Sequence, residues 1–316
     1  MSLERALALA ERGRGTTKPN PIVGAVIVRD GEVVGEGWHE RPGGPHAEVA
    51  ALDAAGERAR GSTLYVTLEP CAHHGRTPPC ADAVIDAGVA RVVAAVGDPD
   101  ARTAGQGFER LRAAGVAVEL ADGELEWRAR VQNEGYRTWT SLGRPFVTYK
   151  AAVTLDERVT IPGSRWVSGE ESRRLVHELR AGSDAVAVGM GTVRADDPAL
   201  TARGVDAVRQ PRRLAFGRGP LPDGSELELL SGPLDEELRR LAEQDVQSLL
   251  LEGGPTLATA FLEAELIDKL LVFVAPRLSG EGPRLFGDFA ALVELERLSA
   301  RKVGDDVLLT AHVHEP

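Results

Sequence analysis

Residues 65–80 read YVTLEPCAHHGRTPPC and join a predicted strand to a predicted helix. The strand is expected over Ser62–Leu68, a short β-rich run, and the helix over Cys80–Ala87. Both cysteines of the chain, Cys71 and Cys80, lie in this stretch. Because thiols stay reduced in the cytosol, two cysteines nine positions apart beside several histidines indicate metal ligation rather than a disulfide.

Strands and helices alternate on both sides of this stretch. Two apolar-rich runs, Val23–Val28 and Glu32–Trp38, flank an Asp30-Gly31 pair, which is a strong hairpin signal. Small apolar residues then recur at helical spacing from His46 to Ala59. After the cysteines a strand, a helix and a strand are predicted at Ala90–Val96, Phe108–Ala114 and Val116–Leu120. This alternation predicts an α/β fold with a mixed or parallel sheet covered on both faces.

A second α/β unit is predicted in the C-terminal half. A charged helix over Glu124–Thr140 leads into the turn-rich segment Ser141-Leu142-Gly143-Arg144-Pro145, after which the alternation restarts. It restarts with a strand at Phe146–Val153, a helix from the capping box at 168–171 to about Arg180, and strands at Asp184–Gly189, Ser248–Leu251 and Lys269–Ala275. Since 316 residues are about twice the usual domain size, we predict two domains, residues 1–143 and 144–316.

The composition favours a globular enzyme that acts on a small molecule. Hydrophobic residues make up 43% and charged residues 27% of the chain, which allows sizeable cores. The formal net charge of −11 provides no positive field for general nucleic-acid binding. We find neither a signal peptide nor an apolar run of membrane-spanning length. A cytoplasmic protein with a small, perhaps phosphorylated, substrate and with no nucleic-acid or membrane partner is expected.

Three motifs together predict a zinc-dependent catalytic site. Pro45-His46-Ala47-Glu48 begins a helix, Glu69-Pro70-Cys71 follows a strand, and Pro78-Pro79-Cys80 opens the next helix. One imidazole and two thiolates are the three protein ligands of a catalytic zinc whose fourth position is left to water. The carboxylate of Glu48 can reach that water without being a ligand. This order is the signature of zinc deaminases, in which the glutamate moves the proton and ammonia leaves.

Simpler interpretations compete with each part of this site. A His-x-Glu pair is common by chance, and two cysteines are often core residues. A purely structural zinc is a further alternative, although it leaves Glu48 without a function. The spacing also departs from the usual Cys-x-x-Cys, because eight residues separate Cys71 from Cys80. The helix N-terminus is expected to lower the thiol pKa of Cys80 and so to favour the thiolate.

Longer motifs resemble one family over nearly the whole chain. In the first half they are Thr17-Lys18-Pro19-Asn20-Pro21-Ile22-Val23-Gly24, Gly44-Pro45-His46-Ala47-Glu48 and residues 65–80. In the second half they are Lys150, Ser164-Arg165-Trp166, Leu179-Arg180-Ala181, residues 192–201 (TVRADDPALT) and residues 251–257 (LEGGPTL). The pattern resembles the bifunctional riboflavin-biosynthesis family, a diaminohydroxyphosphoribosylaminopyrimidine deaminase fused to a 5-amino-6-(5-phosphoribosylamino)uracil reductase. The long spacing between the cysteines is what this family shows.

The resemblance implies a fold, two cofactors and two successive reactions. A cytidine-deaminase-like three-layer domain is expected first, followed by a dihydrofolate-reductase-like α/β domain that uses NADPH. The zinc site would remove the 2-amino group of 2,5-diamino-6-(5-phosphoribosylamino)pyrimidin-4(3H)-one. The second domain would reduce the ribosyl group to ribityl, giving 5-amino-6-(5-phosphoribitylamino)uracil. A homodimer is the expected assembly.

The resemblance also implies roles for individual residues. In the deaminase half, zinc is held by His46, Cys71 and Cys80, Glu48 is the proton donor, and substrate is contacted by Asn20, His74 and Arg76. Cofactor contacts in the reductase half are Ala152, Trp166, Thr192, Asp196, Gly254, Pro255, Thr256, Leu257, Ala258, Thr259 and Ala260. Substrate contacts there are Lys150, Ser164, Arg180, Leu200, Arg203 and Glu252. The guanidinium groups of Arg180 and Arg203 suit a phosphate, and Lys150 is expected to point into a cleft.

One segment departs from the family pattern. Between Arg213 and Leu250 the chain is shorter than is usual in members of the family. In this segment Phe216-Gly217-Arg218-Gly219 occupies the place of the usual aspartate-serine turn beside the cofactor. This leaves open a deaminase whose second domain has lost reductase activity or is altered in cofactor use. Two further hypotheses are a nucleic-acid base deaminase, which the net charge disfavours, and a nonenzymatic zinc-stabilised scaffold.

Overall fold

The computed structural model describes residues 2–73 and 78–316, which form two compact units. The first unit extends to Ser141 and includes Pro316, and the second spans Leu142–Glu315. Within the described residues, no helix is long and apolar enough to cross a membrane.

The first unit is built on a five-stranded mixed sheet with the order β2-β1-β3-β4-β5. The strands are β1 (Gly24–Arg29), β2 (Glu32–Trp38), β3 (Thr63–Val66), β4 (Arg91–Ala94) and β5 (Ala117–Leu120). Strand β1 runs antiparallel to β2 and β3, whereas β3, β4 and β5 are parallel. The helices are α1 (Ser2–Ala10), α2 (Ala47–Ala55), α3 (Cys80–Asp86), α4 (Gln106–Ala113), α5 (Gly123–Gln132) and α6 (Glu134–Leu142).

Two glycines show that α1 and α2 cover opposite faces of this sheet. A Cβ on Gly24 would lie 2.0 Å from the carbonyl oxygen of Ala6 in α1. A Cβ on Gly37 would lie 2.5 Å from the carbonyl oxygen of Ala47 in α2. Gly37 pairs with Ala25, the residue after Gly24, and successive residues of a strand face opposite sides. The unit therefore has three layers, and side chains larger than hydrogen at these positions would push the helices away.

The turn of the β1–β2 hairpin has a local cause, whereas the break between helices α5 and α6 involves a distant part of the chain. Asp30 and Gly31 both have positive φ angles, 51° and 82°, as a type I′ turn requires, so the predicted hairpin is confirmed. The single helix predicted over Glu124–Thr140 is wrong, because two helices meet at Asn133. The buried Asn133 amide accepts the N–H of Ile22 at 3.0 Å and donates to its carbonyl at 2.9 Å. This pairing with a distant backbone segment accompanies the interruption of the helix.

The second unit contains an eight-stranded sheet with the order β12-β13-β11-β6-β10-β7-β8-β9. The strands are β6 (Phe146–Thr154), β7 (Ala185–Gly189), β8 (Arg212–Phe216), β9 (Glu228–Leu230), β10 (Ser248–Leu251), β11 (Lys269–Ala275), β12 (Glu296–Val303) and β13 (Asp306–His312). From β11 to β9 all neighbours are parallel, and β13 pairs antiparallel with β11 and β12. The helices are α7 (Glu170–Gly182), α8 (Met190–Asp196), α9 (Leu234–Ala242) and α10 (Pro255–Glu263).

The start of α7 differs from the predicted capping box. Gly169 is the N-cap residue, and no side chain of the cap makes a hydrogen bond to the helix. Instead, the Asp306 carboxylate accepts the N–H of Gly169 at 2.7 Å and the hydroxyl of Ser172 at 2.6 Å. A carboxylate from a distant strand thus does at this helix N-terminus what a capping side chain would do.

Candidate active site

Three side chains from separate elements meet beside β3. His46 is the N-cap residue of α2, Cys71 follows β3, and Cys80 is the first residue of α3. Their ligand atoms all lie within 4.8 Å of one another, with His46 Nδ1 3.1 Å from Cys80 Sγ and 3.6 Å from Cys71 Sγ. One imidazole nitrogen and two sulfurs are the donor set of a catalytic zinc. The residues present therefore fit the zinc ion that the sequence predicts.

The eight residues between the cysteines do not hold them apart. The N–H of Ala81 donates to the carbonyl of Cys71 at 3.1 Å, and the N–H of Cys80 lies 3.3 Å from Cys71 Sγ. Among the protein groups alone, the hydrogen bond from the Cys80 thiol, aided by His46, lowers the pKa of Cys71 to about 4. The same contact raises the pKa of Cys80. The predicted lowering of the Cys80 pKa is therefore not seen among these groups, because the hydrogen bond to Cys71 and burial both favour the neutral thiol.

Glu48 lies beside the ligand group in the first turn of α2 and is buried. Burial, followed by the charge of the Cys71 thiolate, raises the pKa of its carboxyl group to about 7. A carboxyl group with this pKa can accept a proton and return it at neutral pH. The geometry thus supplies a proton carrier next to three metal-binding atoms.

These groups open onto a cavity of about 380 Å³, a size suited to a small molecule. Besides His46, Glu48 and Cys71, its lining consists of Pro19, Asn20, Pro21, Val23, His39, Pro42, Gly43, Leu68, Glu69, His73, Asp98 and Tyr136. Asn20, a predicted substrate contact, is thus brought to the same cavity as Glu48. The other two predicted contacts, His74 and Arg76, lie outside the described residues.

His39 is a cavity residue that the sequence analysis did not identify. Its Nδ1 lies 3.0 Å from the carbonyl oxygen of Pro45, and its Nε2 lies 3.0 Å from Nδ2 of Asn20. A carbonyl oxygen can only accept, so Nδ1 carries the proton and Nε2 of the neutral ring accepts from Asn20. Burial lowers the pKa of His39 and favours that neutral ring. His39 therefore fixes the orientation of the Asn20 amide, a role that only the tertiary contacts disclose.

Glu69 is a second cavity residue to which the sequence analysis gave no role. Its buried carboxylate accepts backbone N–H groups from Asp98 (3.1 Å), Gly105 (3.0 Å), Gly107 (2.9 Å) and Phe108 (3.4 Å). The last two lie in the first turn of α4, whose N-cap residue makes no side-chain cap. Glu69 thus caps α4 and fixes the segment that carries Asp98 to the cavity. Its place in the Glu-Pro-Cys motif is the sequence signal that points to it.

In the second unit, three predicted substrate contacts form one ionic cluster. Glu252 accepts from Arg180 Nε at 2.6 Å and from Arg180 Nη2 at 2.9 Å, and its Oε2 lies 3.0 Å from Lys150 Nζ. Burial acts to raise the pKa of Glu252, but the charge of Lys150 and the bonds from Arg180 outweigh it and lower this pKa to about 2. The expectations that Lys150 points into a cleft and that Arg180 meets a phosphate stay predictions. Both cations are engaged with Glu252.

The segment that carries two further predicted substrate contacts lies against α7. The carbonyl of Thr201 accepts from Arg180 Nη1 at 3.2 Å and lies 3.1 Å from His177 Nδ1. The backbone nitrogen of Arg203 lies 3.2 Å from the same ring nitrogen. Leu200 is buried there, whereas Arg203 is exposed. These contacts bring the segment close to the ionic cluster.

The loop before α7 carries Ser164 and Trp166, both exposed. The Ser164 hydroxyl donates to the carbonyl of Trp166 at 2.9 Å. The guanidinium groups of Arg165 and Arg173 lie 5.0 and 5.2 Å from the centroid of the indole, within the range of cation–π contacts. A half-exposed indole beside two cations is suited to a flat, anionic ligand.

Most of the predicted cofactor residues gather where β10 leads into α10. Gly254 is the N-cap residue, Pro255 follows, and the first turn has no side-chain cap, so its N–H groups suit a phosphate. A Cβ on Gly254 would lie 3.8 Å from Thr192 Oγ1, which brings α8 to the same place. Three of the predicted contacts are exposed: Thr256, Ala260 and Asp196. Three are partly exposed: Pro255, Leu257 and, on β6, Ala152. The other two, Ala258 and Thr259, are buried. The small residues at this helix start fit the phosphates of a dinucleotide.

Two family models match the chain. Residues 2–96 match the cytidine and deoxycytidylate deaminase zinc-binding region, and residues 145–309 match the RibD C-terminal domain. The riboflavin biosynthesis proteins RibD of Aquifex aeolicus and Escherichia coli are each 41% identical to the chain, over 97% of it and over 96% and 97% of their own lengths. Such identity over nearly full length shows common family membership.

Solved structures agree with these matches. Acinetobacter baumannii RibD has a TM-score of 0.86 at 38% identity, over 98% of this chain and 97% of that chain. The Thermotoga maritima diaminohydroxyphosphoribosylaminopyrimidine deaminase/5-amino-6-(5-phosphoribosylamino)uracil reductase has a TM-score of 0.84 at 33% identity, with the same coverage. The predicted α/β class, the cytidine-deaminase-like first half and the two activities are confirmed, and zinc and NADPH fit the two regions. The chain belongs to the RibD family of riboflavin biosynthesis enzymes, with a zinc-binding deaminase region followed by a reductase domain.

Proposed function

We propose that the enzyme carries out two successive steps on one phosphorylated aminopyrimidine. Residues 1–143 deaminate 2,5-diamino-6-(5-phosphoribosylamino)pyrimidin-4(3H)-one, and residues 144–316 reduce the ribosyl group, giving 5-amino-6-(5-phosphoribitylamino)uracil. The observation that carries the proposal is the grouping of His46, Cys71 and Cys80 within 4.8 Å of one another beside the buried Glu48. The substrates in the name of the Thermotoga maritima relative support it.

In the first step, His46, Cys71 and Cys80 would hold zinc. When bound, zinc lowers the pKa of water to about 7 and makes it a nucleophile at neutral pH. The Glu48 carboxylate accepts a proton from the attacking water and returns it to the departing 2-amino group, and ammonia leaves. Burial raises the pKa of this carboxyl group, which helps it to hold the proton between the two transfers.

Substrate recognition in the first step falls to the groups that line the cavity and to the segment between the cysteines. Asn20 contacts the pyrimidine edge, with its amide oriented by the 3.0 Å contact to His39. His74 and Arg76 contact the ribose phosphate. The arrangement leaves Glu48 free to move protons while other groups bind.

In the second step, the chain aligns a hydride donor with the substrate. When bound, NADPH would supply a hydride to C1′ of the ring-opened ribosylamine, and the imine nitrogen would take a proton from solvent. Ala152, Trp166, Thr192, Asp196 and residues 254–260 would hold the cofactor, and the backbone N–H groups at the start of α10 would meet its phosphates. Lys150, Ser164, Arg180, Leu200, Arg203 and Glu252 contact the substrate. Arg203 is exposed and makes no ion pair within the described part of the chain, so it is the cation best placed to meet the phosphate.

A homodimer and a cytoplasmic location complete the proposal. Reduced thiols are needed at the zinc site, and both cysteines are free, which supports a reducing compartment. Light scattering on the purified chain measures the assembly, and a monomeric mass would contradict the dimer.

The two activities are tested on the purified chain with Glu48→Gln and, as a matched control, Glu57→Gln, which changes an exposed glutamate of the same unit. We expect Glu48→Gln to lose about 10²–10⁴-fold in ammonia release, because the proton carrier is gone. Zinc content and NADPH oxidation with the deaminated substrate stay unchanged, and the control behaves as wild type. Ammonia release at the wild-type rate in Glu48→Gln, or no substrate-dependent NADPH oxidation by the wild type, would overturn the proposal.

A further inference from the structure

Helix α4 contacts the residues that flank both cysteines. At its N-terminus, the carboxylate of Glu69 accepts the N–H groups of Gly107 at 2.9 Å and Phe108 at 3.4 Å. Glu69 precedes Cys71 by two residues. One turn along α4, Arg110 reaches the other side of the cysteine pair. The helix therefore touches the zinc site without supplying a ligand to it.

Arg110 bridges the two ends of the segment between the cysteines. Its Nε lies 2.5 Å from Oδ1 of Asp82 and its Nη2 donates to Oδ2 at 2.9 Å, a bidentate pair. Its Nη1 donates to the carbonyl of Ala72 at 3.4 Å. Ala72 is the residue after Cys71, and Asp82 lies two residues after Cys80. One guanidinium thus holds the exit of the first ligand against the helix that begins with the second.

The long spacing between the two cysteine ligands explains why the Arg110 bridge is needed. In a Cys-x-x-Cys pair the short connection itself keeps the sulfurs close, whereas closing a longer segment costs more chain entropy. Eight residues lie between Cys71 and Cys80 in the sequence. Contacts outside residues 72–79 must therefore hold the two sulfurs at metal-binding distance. Contacts beyond the ligands commonly change metal affinity about 10–100-fold when removed.

We propose that Arg110, together with Glu69, makes α4 a brace that keeps Cys71 and Cys80 in position for zinc. Arg110 and Glu69 are positioning residues, because neither reaches the ligand atoms. The inference rests on the proposed roles of His46, Cys71 and Cys80 as zinc ligands. It assigns to Arg110 a function that none of the motifs described above contains.

The brace is tested by the rate at which the zinc-loaded full chain releases the ion to a chromophoric chelator. Arg110→Met is compared with Arg112→Met, which changes an exposed arginine of the same helix whose guanidinium lies 5.8 Å from the centre of the Phe108 ring. We expect zinc release about tenfold faster for Arg110→Met and within twofold of wild type for Arg112→Met. Asp82→Asn should reproduce the Arg110 effect, and the double variant should add little, because the two side chains act as one pair.

The outcomes separate the brace from the zinc site itself. A wild-type chain that binds no zinc would contradict the proposed function. Zinc binding by the wild type with an unchanged release rate in Arg110→Met, even with a lower melting temperature, would overturn the brace alone and leave Arg110 a purely structural contact. Hydrogen exchange of peptides from β1 and β3, measured in parallel, shows whether the first unit of each variant is folded.

Discussion

Removal of the Glu252 carboxylate is expected to destabilise the second unit by about 3 kcal/mol at pH 7. In Glu252→Gln, Lys150 and Arg180 would lose their anion while their side chains stay only 15% and 14% exposed. A pKa that falls from 4.5 to about 2 on folding corresponds to about 3 kcal/mol, since each pH unit is worth about 1.4 kcal/mol. This value agrees with the loss of stability of about 3–5 kcal/mol that is typical when one partner of a buried ion pair is removed.

The assay is urea unfolding monitored by hydrogen-exchange mass spectrometry. Peptides from β6 and β10 report on the second unit, and peptides from β1 and β3 serve as an internal reference. Glu263→Gln, a change of an exposed glutamate on α10, is the matched control and should stay within about 0.5 kcal/mol of wild type.

The pH dependence provides a second test. The folded pKa of Glu252 lies below its ordinary value, so its contribution to the free energy of unfolding is complete above pH 4.5 and is lost as the pH falls toward 2. The difference between wild type and Glu252→Gln should therefore shrink to less than half by pH 3. Equal stabilities at pH 7, or a difference that does not change with pH, would refute the reasoning.

Three further changes probe the first unit. Glu69→Gln should destabilise it by about 3 kcal/mol, because an amide nitrogen would face backbone N–H donors; urea unfolding at the wild-type midpoint would contradict this. Gly24→Ala should cost about 3 kcal/mol in thermal unfolding, because its Cβ would lie 2.0 Å from the carbonyl of Ala6, and an unchanged melting temperature would exclude the close approach. Asn20→Leu should raise the deaminase KM about tenfold with unchanged zinc content, and steady-state kinetics with an unaltered KM would remove Asn20 from the substrate site.

Features with local causes were predictable from the sequence. The Asp30-Gly31 turn depends on two residues that tolerate positive φ, and the strands at β7 and β10 depend on short apolar runs. The zinc-ligand motif could be found because His46, Cys71 and Cys80 each occur in a characteristic short context. Chemistry that resides in residue type and spacing is visible before folding.

Features with distant causes were not predictable. The break at Asn133 depends on its pairing with Ile22, 111 positions away, and the start of α7 depends on Asp306, 137 positions from Gly169. Strand β12 escaped prediction because nearly all of its residues are exposed, so it lacks the alternation that marks a half-buried strand. The role of Glu69 emerges only from contacts with backbone groups 29 to 39 positions away, and the role of His39 emerges from its contact with Asn20, 19 positions away.

X-ray absorption spectroscopy of the zinc-loaded enzyme at the zinc edge examines the ligand set itself. The account predicts two sulfur neighbours at about 2.3 Å and two nitrogen or oxygen neighbours at about 2.0–2.1 Å, one from His46 and one from solvent. The solvent neighbour should exchange for an added small anion, whereas the others should not. A first shell with fewer than two sulfurs, or with four ligands that all come from the protein, would contradict a catalytic site with an open position.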